Sequence, residues 1–184
     1  MSAPELERAL AGAARGDQSA IATVYRALNP MLLRYLRHHV GPVAEDVASD
    51  VWLALAPNLA GYSGTVDQLR ALMFTVARRR VVDQYRHAGR QAPMVALDET
   101  CDVADPIDTE GPVVAHLTAQ SAVETLVRCL PADQAEIVLL RVLGELDVEQ
   151  VAAIVGRTKG AVRVAQHRAL LRLQRAFEKN AVTR

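Results

Sequence analysis

The sequence has little cysteine, few aromatic residues and no long uninterrupted apolar run. Its two cysteines, Cys101 and Cys129, provide no disulfide framework, and its five histidines have no metal-ligand spacing, so we expect reduced thiols and no metal. The longest uncharged run, residues 51–66, is broken by proline and glycine and is too short to span a bilayer. The chain opens without the pattern of a signal peptide, which predicts a cytoplasmic protein.

Signatures of enzyme chemistry are also absent from the sequence. It contains no glycine-rich phosphate loop, no cluster of metal-binding side chains and no nucleophile beside a recognisable base. We therefore expect a protein that recognises other molecules and has no catalytic residue and no cofactor.

Neither sign of charge is in excess, because 21 basic residues balance 21 acidic ones. Residues 1–90 carry 11 basic and 8 acidic residues, residues 91–118 carry 6 acidic and no basic ones, and residues 119–184 carry 10 and 7. The net charges of these segments are therefore +3, −6 and +3. This division indicates two mildly basic domains joined by an acidic linker, which is compatible with binding nucleic acid.

Apolar residues recur at helical spacing and strand signals are scarce, so we predict an all-α protein made of two small helical domains and a flexible linker. Four residues predict the apolar face of an early helix: Ile21, Val24, Tyr25 and Leu28. Pro30 predicts the start of a new helix. Further helices are expected over 44–55 and 69–86, with a loop over 58–68 and with Trp52 in the core.

Residues 148–173 match a helix-turn-helix, a motif that places its second helix in the major groove of DNA. Gly156 breaks the first helix where a tight turn needs a positive φ. Ala152, four residues earlier, is small enough for two helices to cross closely. One face of the second helix is apolar: Val162, Ala165, Ala169 and Leu173. The other face is rich in arginine and suits phosphates and base edges.

Taken in order, these segments resemble a bacterial RNA polymerase sigma factor of the extracytoplasmic-function (ECF) group of the sigma-70 family. The resemblance is carried by AEDVASDVWLAL, LRALMFTVARRRVVDQYR, the acidic linker, LPADQAEIVLLRVLGEL and the terminal helix-turn-helix. GAVRVAQHRAL and the alanine-rich composition favour actinobacterial members. The resemblance implies a sigma-2-like domain over 1–90, a linker over 91–118 and a sigma-4-like domain over 119–184. The implied function is promoter recognition, DNA melting and transcription initiation with core RNA polymerase.

The resemblance assigns three groups of site residues. Docking on the clamp helices of the polymerase β′ subunit would use Glu45, Asp46 and Asp50. Minus-ten recognition and melting would use Tyr62, Arg78, Arg79, Arg80 and Arg86. Minus-35 recognition would use Lys159, Arg163, Gln166, His167 and Arg168. Among these, Arg163 is the strongest candidate for a base-edge contact, because arginine can pair with guanine through two hydrogen bonds.

The sequence departs from the family pattern at several of these positions. Arg79 stands where ECF factors usually carry asparagine, so the usual base contact is not carried over. Ser49 replaces a common glutamine of the acidic helix. Ala135 and Ala165 each stand where many members have arginine.

The implied partners are core RNA polymerase, through its β′ and β subunits, and promoter DNA in double-stranded and melted form. An anti-sigma factor is also implied, with no insertion into a membrane and with association with the nucleoid when the protein is active. Two other functions stay open at this point. A stand-alone helix-turn-helix regulator would bind its operator without polymerase, whereas an adaptor would use the helix-turn-helix to bind protein.

Overall fold

The structure is a computed structural model that describes residues 1–87 and 130–182, together with residues 89 and 127. Its regular elements over these ranges are α1 (Ala3–Ala14), α2 (Gln18–Val40), a 3-10 turn (Gly41–Val43), α3 (Ala44–Leu59), α4 (Val66–His87), α5 (Ala132–Val142), α6 (Val148–Val155) and α7 (Lys159–Val182). The predicted all-α class is thereby confirmed. Within the described ranges, no helix has the length and apolarity needed to cross a membrane. The linker at 91–118, Arg90, Cys101 and Cys129 lie outside the described residues.

Local sequence determines where the first two helices begin. Ser2 and Glu5 form a capping box at the start of α1, and the Asp17 side chain accepts hydrogen bonds from the first backbone amides of α2. The apolar sides of α1 and α2 pack with those of α3 and α4. The largest fully buried side chains in this part of the chain are Leu28, Leu32, Tyr35, Leu36, Leu55, Leu69, Met73 and Phe74.

Helix α2 differs from the prediction in two respects. It continues through Pro30, because the burial of Leu28 and Leu32 on either side offsets the backbone hydrogen bond that proline cannot make. Ile21 and Tyr25, predicted to lie on the apolar face, are 36% and 44% exposed. The buried row of α2 advances mainly in steps of four residues, so both side chains fall at its edge.

The connection between α3 and α4 is shorter than predicted. Helix α3 continues past residue 55 to Leu59, with Pro57 in its last turn, and α4 begins at Val66. The predicted loop over 58–68 is therefore reduced to residues 60–65. Leu59 and Val66 are both buried, which holds the two ends of this loop against the core.

The C-terminal helices form the predicted helix-turn-helix. The Asp147 side chain caps α6 by accepting a hydrogen bond from the Gln150 amide, and Gly156 ends α6 with a φ of 70°. The inward face of α7 packs against the core through the four predicted side chains, Val162, Ala165, Ala169 and Leu173. The turn glycine and the apolar period therefore both have the structural roles that the sequence predicts.

The N-terminal helices and the C-terminal helices are in contact, with α4 packed beside α6. Phe74 lies close to Gly144, where an added Cβ would be only 3.0 Å from the phenylalanine ring. Two ion pairs also join the two parts: Arg70 with Glu145 and Arg78 with Glu136, each at 2.9 Å. The buried residues of both parts form one continuous core. The sequence predicts two domains, but it contains no signal for this contact.

Candidate nucleic-acid and protein interfaces

Helix α3 has an inner apolar side and an outer acidic side. The inner side is buried, as predicted, through Val47, Val51 and Leu55. The outer side exposes all three predicted carboxylates, those of Glu45, Asp46 and Asp50. Arg37 forms an ion pair with Glu45 at 3.2 Å, but both side chains are more than half exposed, so the pair contributes little. Within residues 1–87 and 130–182, no ion pair engages Asp46 or Asp50.

Leu53 is a residue of this face that the sequence analysis missed. Its side chain is 72% exposed, although leucine is usually buried. Leu53 follows Asp46 by seven residues and Asp50 by three, so all three lie on the same side of α3. We call these residues, together with Glu45, the docking face. The helical period that marks the apolar side also places Leu53 opposite it, and this signal was available in the sequence.

Trp52, predicted to lie in the core, is only half buried. Its indole N–H donates a hydrogen bond to Oδ1 of Asn29 at 2.9 Å, and its ring centroid lies 5.0 Å from that of Tyr25. The indole needs a hydrogen-bond partner, so the ring lies at the rim of the core, where it joins α3 to α2.

The arginines predicted to contact melted DNA do not share one face of α4. Arg79 and Arg86 are seven residues apart on its exposed side, and Arg80 is exposed as well. Arg86 also pairs with Asp83 at 3.6 Å, an exposed contact that a phosphate can replace. Arg78 is the exception, because its side chain is only 34% exposed.

Arg78 is covered by the C-terminal part of the chain. Its Nε donates a hydrogen bond to Oε1 of Glu136 at 2.9 Å, and the fully buried Tyr35 hydroxyl donates to the same oxygen at 3.5 Å. Burial raises the pKa of Tyr35 well above its usual value, and the Glu136 carboxylate adds to this, so the phenol stays a donor. The His39 ring lies 4.5 Å from that of Tyr35, and burial lowers the pKa of His39 to about 3.

Tyr62 lies in the loop over 60–65, half buried against the core. Its hydroxyl lies over Gly64, where an added Cβ would be 2.6 Å from the phenol oxygen. Burial raises the pKa of Tyr62, and the nearby Glu7 carboxylate raises it further. Thr65 and Gln68 close the loop reciprocally, because each backbone amide donates to the other's side-chain oxygen, at 2.9 and 3.3 Å. The tyrosine is therefore held in a closed loop and is only partly buried, which is compatible with stacking on a base.

Helix α7 exposes its basic face at the end nearest the turn. Four of the five predicted residues are exposed there, namely Lys159, Arg163, His167 and Arg168, and Gln166 is half buried. Lys159 also pairs with Glu149 of α6 at 2.8 Å, and Arg157 pairs with Asp133 of α5 at 3.1 Å. Both pairs are largely exposed and contribute little, whereas Arg163 and Arg168 form no ion pair within the described residues.

Val164 is a second residue that the sequence analysis missed. Its side chain is 50% exposed, four residues after Gly160 and three before His167, so it lies at the centre of the outer face of α7. Arg163 and Arg168 flank this position. A methyl-bearing side chain between two arginines can contact a thymine methyl group in the major groove.

Models of two protein-family regions match the chain in the predicted order. The model described as Sigma-70 region 2 matches residues 24–91, and the model described as Sigma-70, region 4 matches residues 120–173. The first match contains the docking face, the loop over 60–65 and α4. The second contains the helix-turn-helix.

Named relatives agree with these matches. The chain is 38% identical over 182 residues to the ECF RNA polymerase sigma factor SigD of Mycobacterium tuberculosis, covering 95% of this chain and 84% of SigD. It is 33% identical over 175 residues to the ECF RNA polymerase sigma factor ShbA of Streptomyces griseus, covering 90% and 92%. The solved structure of CnrH in complex with the cytosolic domain of CnrY has a similar fold, with a TM-score of 0.60 and 19% identity over 95% of this chain and 98% of that one.

Proposed function

The chain belongs to the ECF RNA polymerase sigma factors of the sigma-70 family. On this premise we propose which surface of the chain binds polymerase and which surfaces bind promoter DNA during transcription initiation. Members of this family bind core RNA polymerase and promoter DNA and are initiation factors, not enzymes. The stand-alone regulator is therefore not favoured. We divide the chain into a sigma-2-like domain (1–90), a linker (91–118) and a sigma-4-like domain (119–184). The observation that carries the proposal is the separation of an acidic face on α3 from basic faces on α4 and α7.

The docking face binds the clamp helices of the polymerase β′ subunit. Asp46 and Asp50, which form no ion pair within the described residues, supply carboxylates to a basic partner, and Leu53 supplies an apolar contact one turn beyond Asp50. Charge complementarity speeds the encounter, whereas burial of the leucine stabilises the bound state. Glu45 first has to leave Arg37, a weak and exposed partner.

Helix α4 and its preceding loop read and melt the minus-ten element. Arg79, Arg80 and Arg86 hold the backbone of the single strand, and Tyr62 stacks on an extruded base. Arg79 acts as a phosphate contact, because a charged, outward-facing guanidinium has replaced the family's usual asparagine. Arg78 joins this surface after it separates from Glu136.

Helix α7 reads the minus-35 element in the major groove. Arg163 contacts a base edge, Val164 a thymine methyl group, and His167 with Gln166 the neighbouring bases. Arg168 and Lys159 contact phosphates, which fixes the register without reading sequence.

The remaining partners follow from the family. CnrH was solved with the cytosolic domain of a second protein, CnrY, and this supports an anti-sigma partner for the present chain. Binding of the β subunit, a cytoplasmic location and association with the nucleoid during initiation are part of the same proposal. The linker over 91–118 carries its six acids through the polymerase as a phosphate mimic or serves as a spacer between the domains.

Run-off transcription with sigma-free bacterial core polymerase and a promoter library tests this assignment of binding surfaces. New start sites should require the protein. Asp46→Arg should abolish them together with core binding, whereas Glu178→Arg, the same charge change on an exposed site of α7, should leave core binding intact. Core binding that survives Asp46→Arg would exclude the docking face as the polymerase contact.

The same assay distinguishes the two kinds of DNA contact proposed for α7, to base edges and to phosphates. Arg163→Ala should relax the base preference at one minus-35 position, by roughly 1–3 kcal/mol of discrimination. Arg168→Ala should weaken all promoters equally. If Arg163→Ala leaves every base preference unchanged, this arginine does not read sequence.

A further inference from the structure

Helix α1 contacts both ends of the loop over 60–65. The Ala14 carbonyl accepts a hydrogen bond from the Gly61 amide at 2.9 Å, and Oε1 of Glu7 accepts one from the Val66 amide at 3.0 Å. Helix α1 is itself fixed to the core by the buried Leu10. It precedes residue 24, where the match to the Sigma-70 region 2 model begins. A segment outside that match therefore anchors the loop that carries Tyr62.

The contact from Glu7 adds a second acceptor to the cap of α4. The first amides of a helix have no partner within it, and they carry a partial positive charge. Thr65 satisfies the Gln68 amide through its hydroxyl, and Glu7 satisfies the Val66 amide from 59 residues away. A carboxylate at this position accepts a charge-assisted hydrogen bond, which is stronger than a neutral one.

We propose that Glu7 is a positioning residue for minus-ten recognition. By capping α4 it fixes the loop over 60–65, and the fixed loop determines which base can stack on Tyr62. This inference rests on the proposed function, because it requires the loop to read a base.

The residues of the loop over 60–65 are packed so closely that they move together. An added Cβ at Gly64 would be 2.6 Å from the Tyr62 hydroxyl oxygen and 2.7 Å from Oε1 of Gln68, the atom that also holds the Thr65 amide. Releasing Val66 from Glu7 therefore loosens the loop and its tyrosine as one unit, while Gly61 stays bound to Ala14 and the buried Leu59 and Val66 keep the loop against the core. A site that discriminates between bases needs its groups preorganised, so this release lowers selectivity more than it lowers total binding.

The test compares Glu7→Ala, Glu7→Gln and Arg8→Ala in open-complex formation with core polymerase. The template is a promoter selected with the wild-type protein, together with single-base variants of its minus-ten and minus-35 elements. Arg8→Ala is the control, since Arg8 is exposed on the same helix and its Nε donates a hydrogen bond to the Pro4 carbonyl. Glu7→Ala should lower the preference at one minus-ten position about fivefold and leave all minus-35 preferences unchanged. Glu7→Gln keeps an acceptor oxygen and should retain most of the preference, as should Arg8→Ala.

Tyr62→Ala in the same assay distinguishes the two ways to fail. If Tyr62→Ala changes a minus-ten preference and Glu7→Ala does not, the loop reads DNA but the positioning role of Glu7 is wrong. If neither variant changes a minus-ten preference, the proposed function of the loop is wrong, and the inference fails with it. A uniform loss of activity on all promoters in Glu7→Ala would assign the residue to folding alone and would also overturn the inference.

Discussion

Replacing Glu136 with alanine should make the predicted minus-ten surface easier to reach. The Glu136 carboxylate accepts hydrogen bonds from Arg78 and Tyr35, and it is 18% exposed while Arg78 is 34% exposed. A charged hydrogen bond with this partial shielding is worth about 1 kcal/mol, at the low end for charged groups because solvent still reaches the arginine. If the contact between the N-terminal and C-terminal helices is weakened by about 1 kcal/mol, the fraction of molecules in which Arg78 is free rises about fivefold.

The two partners of this ion pair should have opposite effects on DNA binding. Fluorescence anisotropy can measure binding of the full chain, without polymerase, to a labelled single strand that carries the minus-ten element. Glu136→Ala should bind about fivefold more tightly than the wild type, because more molecules have Arg78 available. Arg78→Ala breaks the same contact but also removes a DNA-binding cation, so it should bind more weakly. The double variant should behave like Arg78→Ala.

Equal weakening in both single variants would refute this reasoning. It would mean that Glu136 organises the DNA-binding surface instead of covering it. A thermal melt of each variant serves as the control, because a large fall in Tm for Glu136→Ala would point to loss of the fold of the C-terminal part.

Three further predictions concern other parts of the molecule. Leu53→Ala should weaken core polymerase binding by about 1–2 kcal/mol in titration calorimetry and change the free energy of unfolding by less than about 0.5 kcal/mol. The control is Leu170→Ala, an exposed leucine of α7, which should change neither quantity. The pKa of His39 is lowered from 6.5 to about 3 in the folded state, so its neutral ring contributes stability that is present above pH 6.5 and is lost as the pH falls toward 3. The free energy of unfolding should therefore decrease in urea titrations on acidification from about pH 7 to about pH 5, and His39→Leu should remove part of that slope, by up to about 1.4 kcal/mol per pH unit. Arg168→Ala should reduce the slope of log affinity against log salt for minus-35 DNA by about 0.9, and an unchanged slope would mean that this arginine does not contact a phosphate.

Much of the local structure could be predicted from the sequence. Gly156 and the apolar period that follows it determine the helix-turn-helix, because the turn and the buried face both depend on residues within one short segment. The inward face of α3 is equally local. The prediction fails at Pro30, which was expected to start a new helix, and after residue 55, where the third helix was expected to end. Both helices continue, since side chains elsewhere in the fold bury their apolar faces.

The parts of the site that escaped prediction depend on residues far apart in the chain. Arg78 lies 58 residues from Glu136, and Glu7 lies 59 residues from Val66, so no helical period relates the members of either pair. Leu53 is a different case. Its position opposite the buried side of α3 follows from the period alone, but an exposed leucine conflicts with the general preference of leucine for the core.

The position of Trp52 gives the protein an intrinsic optical probe of its own assembly. It is the single tryptophan of the chain, and it stands next to Leu53 at the rim of the docking face. Half-exposed indole emits at a wavelength that depends on the surrounding water, so a partner that covers this rim shifts the emission toward the blue. With a partner fragment that contains no tryptophan, Trp52 is the sole source of the signal. Occupancy of the docking face can then be followed in real time with unmodified protein, free of any dye that could itself disturb an acidic surface.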